Sequence, residues 1–370
     1  MKKKILFITQ NLGRTGAEML LWYVINSLDP SEFDISVICN KKGELYDLLP
    51  KHIEKNVMYK GSRNWGVKFF RKLLKIFGVD PVGYQLQRIQ NSFRADIWYI
   101  NTIVIHDVYD IAQKMNIKVV THVHELPMAY SLVSYQGMQK IIKYSDIFIG
   151  CSKIVCRKLE DMGKKNVHLL NSFIDKSKIK ITRDRAQVRQ AVGLTNNEYV
   201  WAISGKTTIT KGIDLLIPLL ENLTNDVRII WIGGEDDNGA YFYAKQTIDK
   251  RFNGRVLFVG EQADEYYNYL DSADGFLLLS REDSFPLVMI EAAALGKPIV
   301  GFNSGGIKEF VDEGMGIVVD SWDFKDLAKA LYDVQCKADH FDSNNLIKRA
   351  GDYDLESQLV NLKIILGKIG

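Results

Sequence analysis

The chain has little of what marks an extracellular, membrane-spanning, metal-binding or nucleic-acid-binding protein. Its 370 residues include four cysteines, Cys39, Cys151, Cys156 and Cys336, of which only Cys151 and Cys156 are close. Their spacing fits neither a zinc site nor a redox motif, so they read as free thiols in a reducing cytoplasm. No apolar run approaches the ~18 residues of a membrane span. Met1-Lys2-Lys3-Lys4 is followed by the run 5–8, too short for a signal-peptide core, and no cleavage site follows. A net charge of +3 is too small to argue for nucleic acid. No short-period repeat and no low-complexity tract occurs. No Gly-x-Gly-x-x-Gly fingerprint follows any apolar run, which disfavours a nicotinamide dehydrogenase.

What is present is the composition of an ordinary globular protein, 46% hydrophobic and 25% charged, long enough for about two domains. Short apolar runs recur at 5–8, 35–39, 97–100, 119–123, 147–150, 200–204, 227–232, 256–260, 276–279, 298–302 and 316–319. Runs apolar at nearly every position suit strands covered on both faces. Helical patterns lie between them; Ala17, Leu20, Leu21, Val24, Ile25 and Leu28 make a single stripe. Strands alternating with helices predict an α/β architecture with parallel sheets. The alternation pauses in the polar stretch 175–189, which reads as a linker between domains at 1–175 and 176–350. A last apolar helical pattern runs over 355–369.

The most informative stretch is 280–306, SREDSFPLVMIEAAALGKPIVGFNSGG. Glu282 and Asp283 precede a turn, Ser284-Phe285-Pro286, and a helix that carries Glu291. Pro286 suits the first helical position. The unpartnered N–H groups of that first turn, through Leu287 and Val288, suit a phosphate or sugar oxygen. Asp283 just outside the helix and Glu291 two turns in can hold hydroxyls on different parts of one long polar ligand. The bland reading is an acidic cap and a solvated glutamate.

Four other segments bear on function. Gly205-Lys206-Thr207-Thr208-Ile209-Thr210-Lys211-Gly212 follows a predicted strand. Two lysines on a loop at the carboxyl end of a parallel strand can converge on a diphosphate; alternatively they are surface lysines. Asn11-Leu12-Gly13-Arg14-Thr15-Gly16 opens the first helix and can be a plain tight turn. His122-Val123-His124-Glu125 ends a strand, with both histidines on one side. A metal there lacks an evident third and fourth ligand; the blander reading is a histidine satisfied in the wall of a site. From Val67 to Phe77 the sequence reads VKFFRKLLKIF. Wound as a helix it gathers Lys68, Arg71, Lys72 and Lys75 on one side and its apolar residues on the other. Either it packs on a sheet with a solvated basic face, or it lies on an anionic membrane surface.

The 280–306 stretch resembles the donor-site signature of retaining glycosyltransferases of family 4, enzymes of the GT-B fold. Ser284-Phe285 stands where that pattern has Gly-Phe, and Glu291-Ala292-Ala293-Ala294 matches its second half. Asp283 occupies the position of the first glutamate, with Glu282 next door as the other candidate. Gly205…Lys211-Gly212 resembles the family's Gly-Arg…Lys-Gly loop, with Lys206 in place of arginine; Gly16 matches a glycine of its first loop, and His124-Glu125 its His-Glu pair. The resemblance implies two Rossmann-like domains facing a cleft, with the last helix, 351–370, returning to the first. It implies transfer, with retention, from a nucleotide-diphosphate sugar (UDP favoured over GDP) to a saccharide or lipid-linked saccharide, without metal or other cofactor. The setting would be polysaccharide synthesis in the cytoplasm or on the inner face of the plasma membrane. Glu291 would hold the ribose, Lys206 and Lys211 the diphosphate, Asp283 or Glu282 and the 284–288 backbone the sugar, and His124 would approach that sugar. A sugar-nucleotide epimerase on the same fold, and a non-catalytic sugar-nucleotide or polysaccharide-binding subunit, are the alternatives.

Overall fold

The structure is a computed structural model, and it describes residues 2–62, 64–337 and 340–368. The predicted tail over 355–369 therefore ends beyond the described residues at Ile369. The chain folds as two compact units, Met1–Ser172 with Glu356–Gly370, and Phe173–Leu355.

The first unit is built on a seven-stranded sheet, every pair of which is parallel. Its strands are β1 (Lys3–Asn11), β2 (Phe33–Lys41), β3 (Glu54–Val57), β4 (Ile97–Ile100), β5 (Lys118–Val123), β6 (Ile147–Gly150) and β7 (Val167–Leu169). They lie in the order β3-β2-β1-β4-β5-β6-β7. The chain winds outward in both directions from β1 and β4, which makes a switch point between them. Ile5, Leu6, Phe7, Ile8, Trp98 and Ile100 are wholly buried there, as the continuous apolar runs require. The first-helix stripe folds as read: Gly16–Ser27 buries Leu20, Leu21, Val24 and Ile25. The helix Leu355–Gly367 packs in this unit, with Lys3 Nζ donating to Leu366 O at 2.6 Å and Lys363 paired with Glu32 at 2.7 Å.

The second unit holds a six-stranded parallel sheet, β8 (Val200–Ser204), β9 (Arg228–Ile232), β10 (Val256–Gly260), β11 (Gly275–Leu278), β12 (Ile299–Phe302) and β13 (Gly316–Val319). The order is β10-β9-β8-β11-β12-β13, so its switch point lies between β8 and β11. Trp201, Trp231 and Phe276 fill the core on these strands. The polar stretch 175–189 lies within this unit. It enters the helix Arg185–Ala191, whose buried Arg189 donates to Asp274 Oδ2 at 2.6 Å and to Ser272 O at 2.8 Å.

Two Rossmann-like parallel sheets with helices between strands are therefore present, as the alternating pattern predicts. Among the described residues no helix is long and apolar enough to cross a membrane.

Candidate active site

In the second unit the loops after β8 and β11 meet across the switch point. Lys211 Nζ lies 2.5 Å from Asp283 Oδ2, and Ser280 Oγ donates to the same oxygen at 3.2 Å. The backbone fixes Asp283 as well: its N–H donates to Ser304 O at 2.9 Å, and Gly306 N–H donates to its carbonyl at 2.9 Å. The sequence reading assigned both residues to one ligand; the structure brings them into direct contact. Lys206, five residues earlier, is exposed and Lys211 half-buried.

Two glycines let the lysine loop take this path. Gly205 has φ +136° and Gly212 φ +82°. A Cβ on Gly212 would stand 2.2 Å from Leu279 O, so only glycine lets the β8 loop pass against the end of β11. Arg281 then clamps the two loops together. It makes a bidentate pair with Asp214 at 2.7 and 2.5 Å and donates to Ile209 O at 2.6 Å. Arg281 carries no sequence signal beyond its place beside Glu282, and the sequence reading passed over it.

Glu291 sits in the helix Leu287–Ala294. Its two carboxylate oxygens accept from Tyr266 OH at 2.9 Å and Tyr267 OH at 3.1 Å, and Tyr266 OH also meets Ser204 Oγ, at the end of β8, at 3.0 Å. Burial pushes the Glu291 carboxyl above its ordinary range, and the two tyrosine hydroxyls pull it back. A carboxylate has about four acceptor positions, so two remain for a ligand. The bland reading of Glu291 as a solvated residue does not hold. Tyr266 and Tyr267 were also missed, because a Tyr-Tyr pair on the helix Tyr266–Ser272 matches no motif.

The turn 284–288 differs from expectation in register. Pro286 is the N-cap with extended ψ 127°, and Leu287 is the first helical residue. Phe285 is 3% exposed and packs on Tyr353 at 5.1 Å and Phe310 at 6.1 Å, so its side chain belongs to the core. Ser284 and Val288 are half-buried, as is Glu282.

In the first unit the candidate residues lie at the carboxyl ends of β1, β4 and β5. His124 Nε2 is 3.1 Å from Asn101 Oδ1, and Asn101 Nδ2 donates to Ala17 O at 3.0 Å. The carbonyl can only accept, which fixes the amide orientation and requires the His124 proton on Nε2. His124 Nδ1 is thus the acceptor nitrogen. Burial pushes the His124 pKa down to about 3, so the ring is neutral at ordinary pH. His122 packs against it, tilted, with ring centroids 3.9 Å apart, meets Tyr99 OH at 2.7 Å, and is held well below the ordinary imidazole range by burial and by its neighbour. Glu125 is a clamp between loops: it accepts from Thr102 Oγ1 and, at 2.9 Å, from His124 N–H. Gly16 is the exposed first residue of its helix, capped by a reciprocal Thr15–Glu18 box. No group of three or more His, Cys, Asp or Glu is placed to hold a metal ion among the described residues.

The helix Trp65–Ile76 keeps both readings of 67–77 open: Lys68, Lys72 and Lys75 are solvated, while Val67, Phe70 and Leu74 on its inward side are half-buried. None of its residues is buried, and the crossover to β4 is made by the next helix, Pro81–Phe93.

Among known proteins, residues 184–348 match the family described as glycosyl transferases group 1. The chain is 27% identical over 233 residues to the N-acetyl-alpha-D-glucosaminyl L-malate synthase of Bacillus anthracis, covering 59% of each chain. It is 32% identical over 155 residues to a D-inositol 3-phosphate glycosyltransferase of Mycobacterium sp. (strain KMS), covering 40% of this chain and 35% of that one. It thus spans between about a third and three-fifths of the length of these curated relatives. The crystal structure of Anabaena HepE in complex with UDP and glucose superposes with a TM-score of 0.84 at 20% identity, covering 99% of this chain and all of that one. The fold is GT-B, and the match to glycosyl transferases group 1 falls within the second unit, over residues 184–348.

Proposed function

We propose that this protein is a retaining glycosyltransferase that moves a sugar from a nucleotide-diphosphate sugar, UDP in preference to GDP, to a saccharide or lipid-linked saccharide. The observation that carries the reading is the meeting of Lys211 and Asp283 at 2.5 Å across the β8–β11 switch point, with Glu291 held by Tyr266 and Tyr267 beside the end of β8. The matched glycosyl transferase domain and the named relatives support sugar transfer. The Anabaena structure, which holds UDP and glucose, supports the choice of UDP.

Glu291 accepts the ribose hydroxyls. Lys211 keeps Asp283 through one N–H and offers another to the diphosphate, since an ammonium has three donors. Exposed Lys206 adds a second positive charge. Asp283 takes a sugar hydroxyl, and the backbone at 284–288 takes others. As the bond from the anomeric carbon to the diphosphate oxygen breaks, the bond to the acceptor oxygen forms on the same face. The acceptor proton passes to the departing diphosphate, whose charge the lysines hold. His124 approaches the donor sugar.

The test is turnover of UDP-sugars with saccharide acceptors, followed by UDP release and by proton NMR of the new linkage. An α-linked product from an α-linked donor is expected. An inverted product, or a donor converted to its epimer with no acceptor consumed, contradicts the proposal.

A further inference from the structure

The β3–β4 connection already has a crossover helix, Pro81–Phe93, which buries Val82, Leu86 and Ile89. The twelve-residue helix Trp65–Ile76 is an addition ahead of it, about 18 Å long at 1.5 Å per residue. It is tied to the carboxyl edge of the first unit's sheet. Arg71 donates to Lys60 O at 3.2 Å, and Lys60 pairs with Asp107, in the connection after β4, at 2.8 Å. Its inward side is held by Phe70, edge-on to Tyr59 at 5.9 Å and to Tyr84 at 5.8 Å.

The rest of its circumference divides into two stripes. At about 100° per residue, Trp65, Phe69, Leu73 and Ile76 fall within roughly 80° of one another. They are 80%, 59%, 39% and 69% exposed, and Phe77, one residue beyond the helix, is 73% exposed. Lys68, Lys72 and Lys75 line the adjoining arc. Between Lys55 and Val79 the sequence has seven cations and no acidic residue. Nothing in this segment offsets the positive charge beside the apolar row.

We propose that this helix is an interfacial anchor that seats its Trp65–Phe69–Leu73–Ile76 stripe in the surface of an anionic lipid bilayer. The lysine ammoniums reach the headgroup phosphates while their stems lie along the apolar boundary. A row of apolar side chains beside a parallel row of cations along one helix matches a planar apolar–anionic interface along its whole length. The same edge of the sheet exposes Leu132 and Tyr135, 67% and 80%, after β5. A role for that edge in taking a lipid-linked acceptor rests on the proposed function; adsorption itself does not.

The test is flotation of the full chain with phosphatidylcholine vesicles and with vesicles of phosphatidylcholine and phosphatidylglycerol. Binding to the anionic vesicles alone is expected, with a blue shift in tryptophan emission that Trp65→Phe abolishes. Each of Lys68→Gln, Lys72→Gln and Lys75→Gln should lower the partition coefficient about fivefold, the ~1 kcal/mol expected per cation at such a surface. Phe69→Ser with Ile76→Ser should abolish binding without lowering the melting temperature, because both side chains are exposed. Equal recovery on both vesicle types, or none on either, overturns the proposal. So does self-association that the Phe69→Ser, Ile76→Ser variant removes while vesicle binding persists.

Discussion

At the scale of the residue, the two lysines of the β8 loop should not behave alike. Lys206 is exposed, whereas Lys211 neutralises Asp283 at 2.5 Å. Lys206→Ala should weaken UDP binding and leave the melting temperature unchanged. Lys211→Ala should weaken UDP binding and also destabilise the fold by about 1–3 kcal/mol, since it leaves the half-buried Asp283 without its cation. Calorimetric titration beside thermal unfolding separates the two. Equal effects of both variants on both readouts would place Lys211 outside the pair. Asn101 makes a comparable claim for His124. In long-range 15N–1H spectra at neutral pH, His124 should show a protonated Nε2 and an unprotonated Nδ1; Asn101→Leu should bring both tautomers into exchange. The reverse tautomer in the wild type would refute the assignment. Of these residues, the carboxylates, the lysines and His124 are the ones the sequence reading names, from residue type and from the resemblance. Tyr266, Tyr267, Arg281 and Asn101 were not legible, because each acts through a contact between segments far apart in the chain.

At the scale of the element, the strands that sequence reading found are those with a continuous apolar run, including the partly covered edge strands β10 and β13. β3 (Glu54–Val57) and β7 (Val167–Leu169) escaped it; both are short edge strands whose residues, EKNV and VHL, make no such run. The Trp65–Ile76 helix kept two readings for a related reason. Helical periodicity says which residues share a face but not how many faces meet solvent, and here the apolar side splits into an inward Phe70 sector and an outward Trp65–Ile76 stripe. The end of β5 carries a pH prediction. His124, held neutral in the fold down to about 3, takes up a proton in the unfolded chain below ~6.5. The unfolded state therefore binds more protons as pH falls through that window. The stability tied to this histidine is intact above ~6.5 and lost progressively toward pH 3. Glu125, raised by burial, acts in the opposite sense, so the comparison is best made against a variant that keeps it. Between pH 6 and 5 the stability of the wild type should fall more steeply than that of His124→Asn, by about 1.4 kcal/mol per pH unit. Parallel slopes in urea unfolding would show that the ring is protonated in the fold.

At the scale of the whole molecule, each unit brings its candidate residues to its own sheet's switch point, although no short segment contains either set. In the second unit, loops from separate strand ends are needed before Lys211 meets Asp283, and the helices of Tyr266 and Glu291 before Glu291 is held beside the end of β8. The parallel sheet order β10-β9-β8-β11-β12-β13 supplies that placement. The proposed activity requires that this site hold a nucleotide diphosphate, and one measurement bears on it most directly: calorimetric titration of UDP into the full chain and into Glu291→Gln. Wild type should bind one UDP per chain. Glu291→Gln, which keeps the size of the side chain and loses its charge, should bind at least about tenfold more weakly at an unchanged melting temperature, the loss of one charge-assisted hydrogen bond to the ribose. Equal UDP affinity in the two proteins would remove Glu291 from the nucleotide site, and with it the donor-site assignment.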